Sequence, residues 1–219
     1  MSRAKIPRKS THIDMTAMCD VAFLLLSFFI LATKQKPPEA VAVVTPSSVS
    51  TKAAPEKSIM ITMTKEGKVF IMLGDDTKKS AILSDLNTTR NLGLSPAELS
   101  KLNKMTAYGM SLGQMKPLLD LPQDVPAGKM DGIPVADSTN NELVYWLASV
   151  TNTYRGTDQT KLEEMLLVKG DNSAKYPVFK NVKYAFKKND LFKFRIVTNS
   201  ETAPPGSELE KQNRTAKNG

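Results

Sequence analysis

The longest apolar run in the sequence is Val21-Ala22-Phe23-Leu24-Leu25-Leu26-Ser27-Phe28-Phe29-Ile30-Leu31-Ala32, broken only by Ser27. Extended from Met15 to Thr33, the segment contains a single charged residue, Asp20. At ~1.5 Å rise per residue such a helix reaches roughly 28 Å, close to a ~30 Å hydrocarbon layer. The pattern predicts one transmembrane helix over residues 15–33. Further on, the periods change. Ser58 to Thr64 and Val69 to Leu73 flank Lys65-Glu66-Gly67-Lys68, which reads as a β-hairpin. Ser95-Pro96-Ala97-Glu98 is a capping box with proline at the first helical position, opening a helix to about Thr106. Leu143, Trp146 and Val150 share the face of a helix that Ser138 is placed to cap. Tyr176 to Asn189 is amphipathic, with Val178, Val182, Ala185 and Phe186 on its apolar side, and Phe192 to Val197 alternates as a half-buried strand.

Between these elements the chain loses its periodicity in two places. Residues 34–56 carry Pro37, Pro38, Pro46 and Pro55 among Ser and Ala, and read as an extended linker. Within it, Val41 to Val44 is a candidate edge strand, the other reading being a structureless tether. Residues 200–219 are polar, include Pro204-Pro205-Gly206, and read as a disordered tail. The fold class expected is therefore α+β: a single N-terminal transmembrane helix followed by a small mixed domain over residues 57–199, with helices on one face of a small sheet. Within that domain, residues 75–161 are expected to form a helical insertion between two sheet elements.

Charge fixes the expected orientation. Arg3, Lys5, Arg8 and Lys9 precede the helix, whereas Lys34 and Lys36 after it are offset by Glu39. Residues 1–14 are thus expected in the cytoplasm and the bulk of the chain on the far side. A cleaved signal peptide is the competing reading, but cleavage after Ala32 would put Ile30 at −3, where a small residue is required. A buried core helix of a soluble protein fits poorly with a basic run on one flank and a proline-rich linker on the other.

Composition removes most enzyme chemistries. Cys19 is the only cysteine and His12 the only histidine. Beyond Thr33 the chain therefore has no disulfide, no zinc site built on Cys or His, and no His-based triad or dyad. Carboxylate-only hydrolysis survives that filter. The expectation is a non-enzyme with no metal and no cofactor. The net charge of +8 is scattered over the start, one helix and the tail, without an RNA-binding aromatic motif, so nucleic acid is not an expected partner.

A plain membrane anchor has no use for Asp20. A carboxylate within a membrane helix costs about 2.5–3.5 kcal/mol on insertion scales and ordinarily marks a pathway or a pairing site. Ser27 lies seven residues on, nearly eclipsed with Asp20, and Thr16 one turn before, so the three form a thin polar stripe. Ala22, Leu25 and Phe29 cover the opposite face. The stripe is expected to face protein or water; the alternative is that Asp20 sits at headgroup level and reaches out to the interface.

At these residues the sequence resembles a known family. Ile13-Asp14-Met15-Thr16-Ala17-Met18-Cys19-Asp20-Val21, followed by the Leu/Phe run, is similar to the membrane signature of the ExbD/TolR family, roughly Ile-Asn-Val-Thr-Pro-Phe-Ile-Asp-Val. Ile13, Thr16, Asp20 and Val21 match; Asp14 stands where Asn is usual and Ala17 where Pro is usual. Pro55 to Met63 and Met165 to Asp171 resemble strand segments of the family's periplasmic domain, and Tyr176 to Asn189 and Phe192 to Thr198 its last helix and strand. The resemblance implies a subunit of an inner-membrane proton-driven motor, with Asp20 carrying the proton and Thr16 and Ser27 facing the pore. It also implies a homodimer seated within an ExbB-like multi-span protein, coupled to a TonB-like protein that energises outer-membrane transport, with the soluble domain in the periplasm. A TolR-like subunit serving envelope integrity is a second reading, and a membrane-tethered periplasmic binding domain or carboxylate hydrolase a third.

Overall fold

The computed structural model of the protein describes residues 15–32, 41–49, 54–55, 57–121, 125–137, 139–156, 159–201 and 207. The chain divides into two compact units, Met1–Pro38 and Glu39–Gly219. The first contains helix α1, Met15–Ala32, eighteen residues without a proline or glycine to break it. Thr33, Asp14 and most of the linker lie outside the described residues.

The second unit is an α+β domain, as the pattern predicts. Strands β2, Ile59–Met63, and β3, Val69–Leu73, form an antiparallel hairpin. Its turn closes by two hydrogen bonds, from the Gly67 amide to the Thr64 carbonyl and from the Thr64 amide to the Lys68 carbonyl, both 3.0 Å. Gly67 adopts a φ of 87°, the left-handed conformation that the Glu-Gly pair makes accessible. β4, Leu166–Gly170, lies parallel to β2, and β5, Arg195–Val197, parallel to β4, giving the order β3-β2-β4-β5. The β5 strand is shorter than the alternation from Phe192 predicts. Leu191 is buried, the Phe192 amide donates to the Glu163 carboxylate at 3.1 Å, and only the last three residues reach the sheet.

Between β3 and β4 the regular elements among the described residues are helices, joined by irregular stretches with two isolated bridges. These are α2 (Asp76–Arg90), α3 (Pro96–Lys104), the short α4 (Met115–Leu119), α5 (Leu143–Thr153) and α6 (Gln159–Met165), with two single 3-10 turns. α3 starts where Ser95 predicts and has both halves of the capping box. It stops at Lys104 rather than Thr106, because the chain then turns extended at Met105 to run beside β3. There Ile71 and Tyr108 exchange reciprocal backbone hydrogen bonds of 2.9 and 2.8 Å. Ser138, the expected cap of α5, lies outside the described residues; the residue before the helix is Glu142, whose carboxylate instead accepts from the Leu112 amide at 2.7 Å. After β4 comes α7, Tyr176–Lys188, which buries Val182, Ala185 and Phe186.

Ile59, Ile61, Ile71, Leu166 and Val168 are adjacent in the sheet register and share the core with Leu143, Trp146, Leu147 and Val150 of α5. The opposite face of the sheet is not left open. Thr62, Phe70 and Leu167 on that side are also buried. Phe70 is covered because the chain after α3 crosses it at Gly109, whose missing Cβ leaves the ring its space.

The expected edge strand Val41–Val44 does not form. The strand in this part of the chain is β1, Ser47–Ser48, which pairs in parallel with β6, Asn199–Ser200. Ser200, read from sequence as the start of the tail, therefore belongs to the folded domain. Val41–Val44 fails as a strand because it runs past a turn: its hydrogen bonds go to Asp171 and Asn172 rather than to a ladder.

Candidate functional site

Helix α1 is apolar apart from one thin stripe, and all its residues are exposed except Ser27, which is half-buried. Among the described residues it is long and apolar enough to cross a membrane, and none of it is buried within the protein. Phe23, Leu24, Leu25, Leu26, Phe28, Phe29, Ile30 and Leu31 all project into the surroundings. A helix this apolar is stable only in an apolar medium or inside other protein.

Asp20 is the one formal charge on this surface. Because α1 is unbroken from Met15 to Ala32, helical geometry fixes the relation of the three polar positions. Thr16 precedes Asp20 by about one turn and is offset by roughly 40°, while Ser27 follows by about two turns and is offset by roughly 20°. Ala22, Leu25 and Phe29 lie on the far side. All three residues singled out from the sequence thus occur on one narrow stripe of one helix. Asp14, the second acid of the motif, and His12 lie outside the described residues. No group of three His, Cys, Asp or Glu side chains arranged to hold a metal occurs among the described residues, and Cys19 is exposed next to Asp20.

A second constellation, which the pattern of the sequence does not announce, holds the first described residues of the soluble unit. The Val44 amide donates to Asp171 Oδ2 at 3.1 Å, and the Asn172 amide donates to the Val44 carbonyl at 2.7 Å. Thr45 Oγ1 donates to Asn199 Oδ1 at 2.7 Å, while Asn199 Nδ2 donates back to the Thr45 carbonyl at 3.1 Å. The Asn199 and Glu201 amides donate to the carbonyls of Pro46 and Ser48, each at 2.9 Å. Amides of Ser173 and then Val44 hold the Asp171 carboxyl below the usual carboxylate range, since each hydrogen bond favours the ionised form. The only local signal is Asp171-Asn172-Ser173, an Asx-type turn; its partners lie more than a hundred residues away and leave no periodic trace.

The family model described as Biopolymer transport protein ExbD/TolR matches residues 7–201, nearly the whole chain. The chain belongs to the ExbD/TolR family. Members of the ExbD/TolR family are subunits of membrane transport systems rather than enzymes, and partners in such a membrane complex follow from membership. The match begins before α1 and ends beyond β6, so it takes in the membrane helix, the linker and both ends of the soluble domain. No curated protein and no solved structure matches the chain.

Proposed function

We propose that the protein is an ExbD-like subunit of an inner-membrane proton-driven motor that energises TonB-dependent transport across the outer membrane, with Asp20 as the proton carrier. The observation that carries this reading is the solitary carboxylate of Asp20 on a helix apolar apart from its thin polar stripe, in a chain of the ExbD/TolR family. Facing lipid, that group would only cost insertion energy. Facing an ExbB-like partner, it has a role: it takes a proton from one compartment and releases it to the other. Each proton crossing the potential supplies ~2.3 kcal/mol per 100 mV. Thr16 and Ser27 on the same stripe would line the pore beside it. The motor contains two copies of this chain, so that one aspartate loads as the other unloads, and the soluble domain passes the resulting movement to a TonB-like protein in the periplasm.

Asp20→Asn tests the proposal. Asn keeps the size and hydrogen-bonding capacity of Asp but does not exchange a proton near neutral pH. The variant is expected to insert and to copurify with its multi-span partner at wild-type levels, while growth on a substrate needing TonB-type uptake is lost. Asp20→Glu recovers little, because the longer arm displaces the carboxyl, whereas Asp14→Asn, the family's usual residue there, retains activity. Normal growth of Asp20→Asn at normal protein level would overturn proton carriage by Asp20.

A further inference from the structure

Helix α7 carries a surface that the motor reading does not use. Its thirteen residues include no acid. Tyr176, Lys180, Lys183 and Lys187 are spaced four, three and four residues apart and lie along one exposed stripe, opposite the buried Val182, Ala185 and Phe186. Two acids beside α7, Glu66 and Asp131, line a cavity with Pro177, Val178 and Asn181, which lie off the lysine stripe, and Glu66 is paired with Lys65. From Tyr176 to Val197 there are five lysines and one arginine against the single acid Asp190. α5, which packs on α7, has no charged residue. The nearest preceding acid, Asp171, already accepts from the Val44 and Ser173 amides. Neither of the ion pairs Lys57–Asp75 and Lys65–Glu66 takes in an α7 lysine. Two large side chains stand in solvent at this part of the domain: Tyr176, 72 % exposed, and Phe192, 66 % exposed.

We propose that the α7 stripe docks the soluble domain on an anionic phospholipid surface, the lysines meeting headgroup phosphates and Tyr176 resting at the interface. The inference rests on α1 spanning a bilayer. Three observations select this occupant over an acidic protein. The stripe is a convex helix face, not a groove shaped for a peptide. It combines lysines with an exposed aromatic side chain, Tyr176, the composition of surfaces that lie on membranes. Finally, only residues 33–40 separate α1 from Val41, where the domain's contacts begin, so the tether reaches at most about 30 Å. A bilayer is therefore present at high effective concentration, and weak contacts suffice. Each lysine at an anionic surface contributes about fivefold in partitioning, so three give on the order of a hundredfold, and salt screens it.

Lysine reactivity in the full-length chain tests this. The protein is placed in nanodiscs of phosphatidylcholine alone or mixed with phosphatidylglycerol. Acetylation rates are read residue by residue by mass spectrometry at low and high salt, with the exposed Lys104 and Lys129 as internal references. The expected result is at least about tenfold slower acetylation of Lys180, Lys183 and Lys187 in the phosphatidylglycerol discs, lost at high salt, with the references unchanged. Equal rates in the two lipids, in protein that stays with the discs, overturn the docking and leave the membrane helix standing. So does protection that ignores lipid charge, or that arises only when a partner protein is added. Failure of the chain to stay with either disc overturns both the docking and the membrane reading of α1.

Discussion

Gly109 shows how tightly single residues hold the domain together. A Cβ built there would lie 2.1 Å from Cδ1 and 2.2 Å from Cε1 of the buried Phe70 ring. Gly109→Ala is therefore expected to destabilise the domain by about 1–3 kcal/mol, seen as a lower denaturation midpoint, since the ring has nowhere to move. Phe70→Leu in the same chain should recover part of that loss; a Gly109→Ala variant as stable as wild type would mean the crossing over Phe70 is wrong. Asp171 gives a second residue-scale test. Its folded value is depressed by the Ser173 and Val44 amides. Its contribution is thus fully present above the ordinary carboxylate value of about 3.9 and disappears as pH falls through the lower folded value. The gap in thermal midpoint between wild type and Asp171→Ala should be widest near neutral pH and close below about pH 4. A gap that stays constant over this range would rule out the carboxylate as the anchor of Val44.

Elements differ in how much of them the sequence reveals, and the difference follows the range of the interactions that make them. α3 rests on local signals: Ser95 Oγ accepts from the Glu98 amide at 3.3 Å and Glu98 Oε2 from the Ser95 amide at 2.6 Å, within one turn. Ser95→Ala should cost about 1 kcal/mol, measured by denaturant unfolding followed at Trp146, the only tryptophan. The β2–β3 hairpin, the face of α5 and the apolar side of α7 are legible for the same reason, since periodicity and turn residues are properties of neighbours. The stripe of Thr16, Asp20 and Ser27 is legible too, because one helix carries it. Pairings made at a distance are not. Val41 to Val44 has the composition of a strand, yet Ser47–Ser48 pairs instead, because its partner Asn199–Ser200 is available only in the folded domain. Likewise nothing in Phe192 or Lys193 reveals that Glu163 captures the chain and delays the start of β5.

The whole molecule couples a membrane-type helix to a domain whose ends are tied. The basic residues before α1 lead us to expect the soluble unit outside the cytoplasm. A cysteine introduced as Lys211→Cys in a Cys19→Ser background should react with an impermeant reagent in cells whose outer membrane has been opened. Labelling only after lysis of the inner membrane would reverse the orientation. The ties at residues 44–48 also set an order of events during synthesis. Their partners Asp171, Asn172, Asn199 and Glu201 leave the ribosome long after residues 44–48, and Thr45 must wait for Asn199 across 154 positions of chain. α1 is thus complete while residues 44–48 still lack their partners, and the soluble domain closes only after the helix has been made.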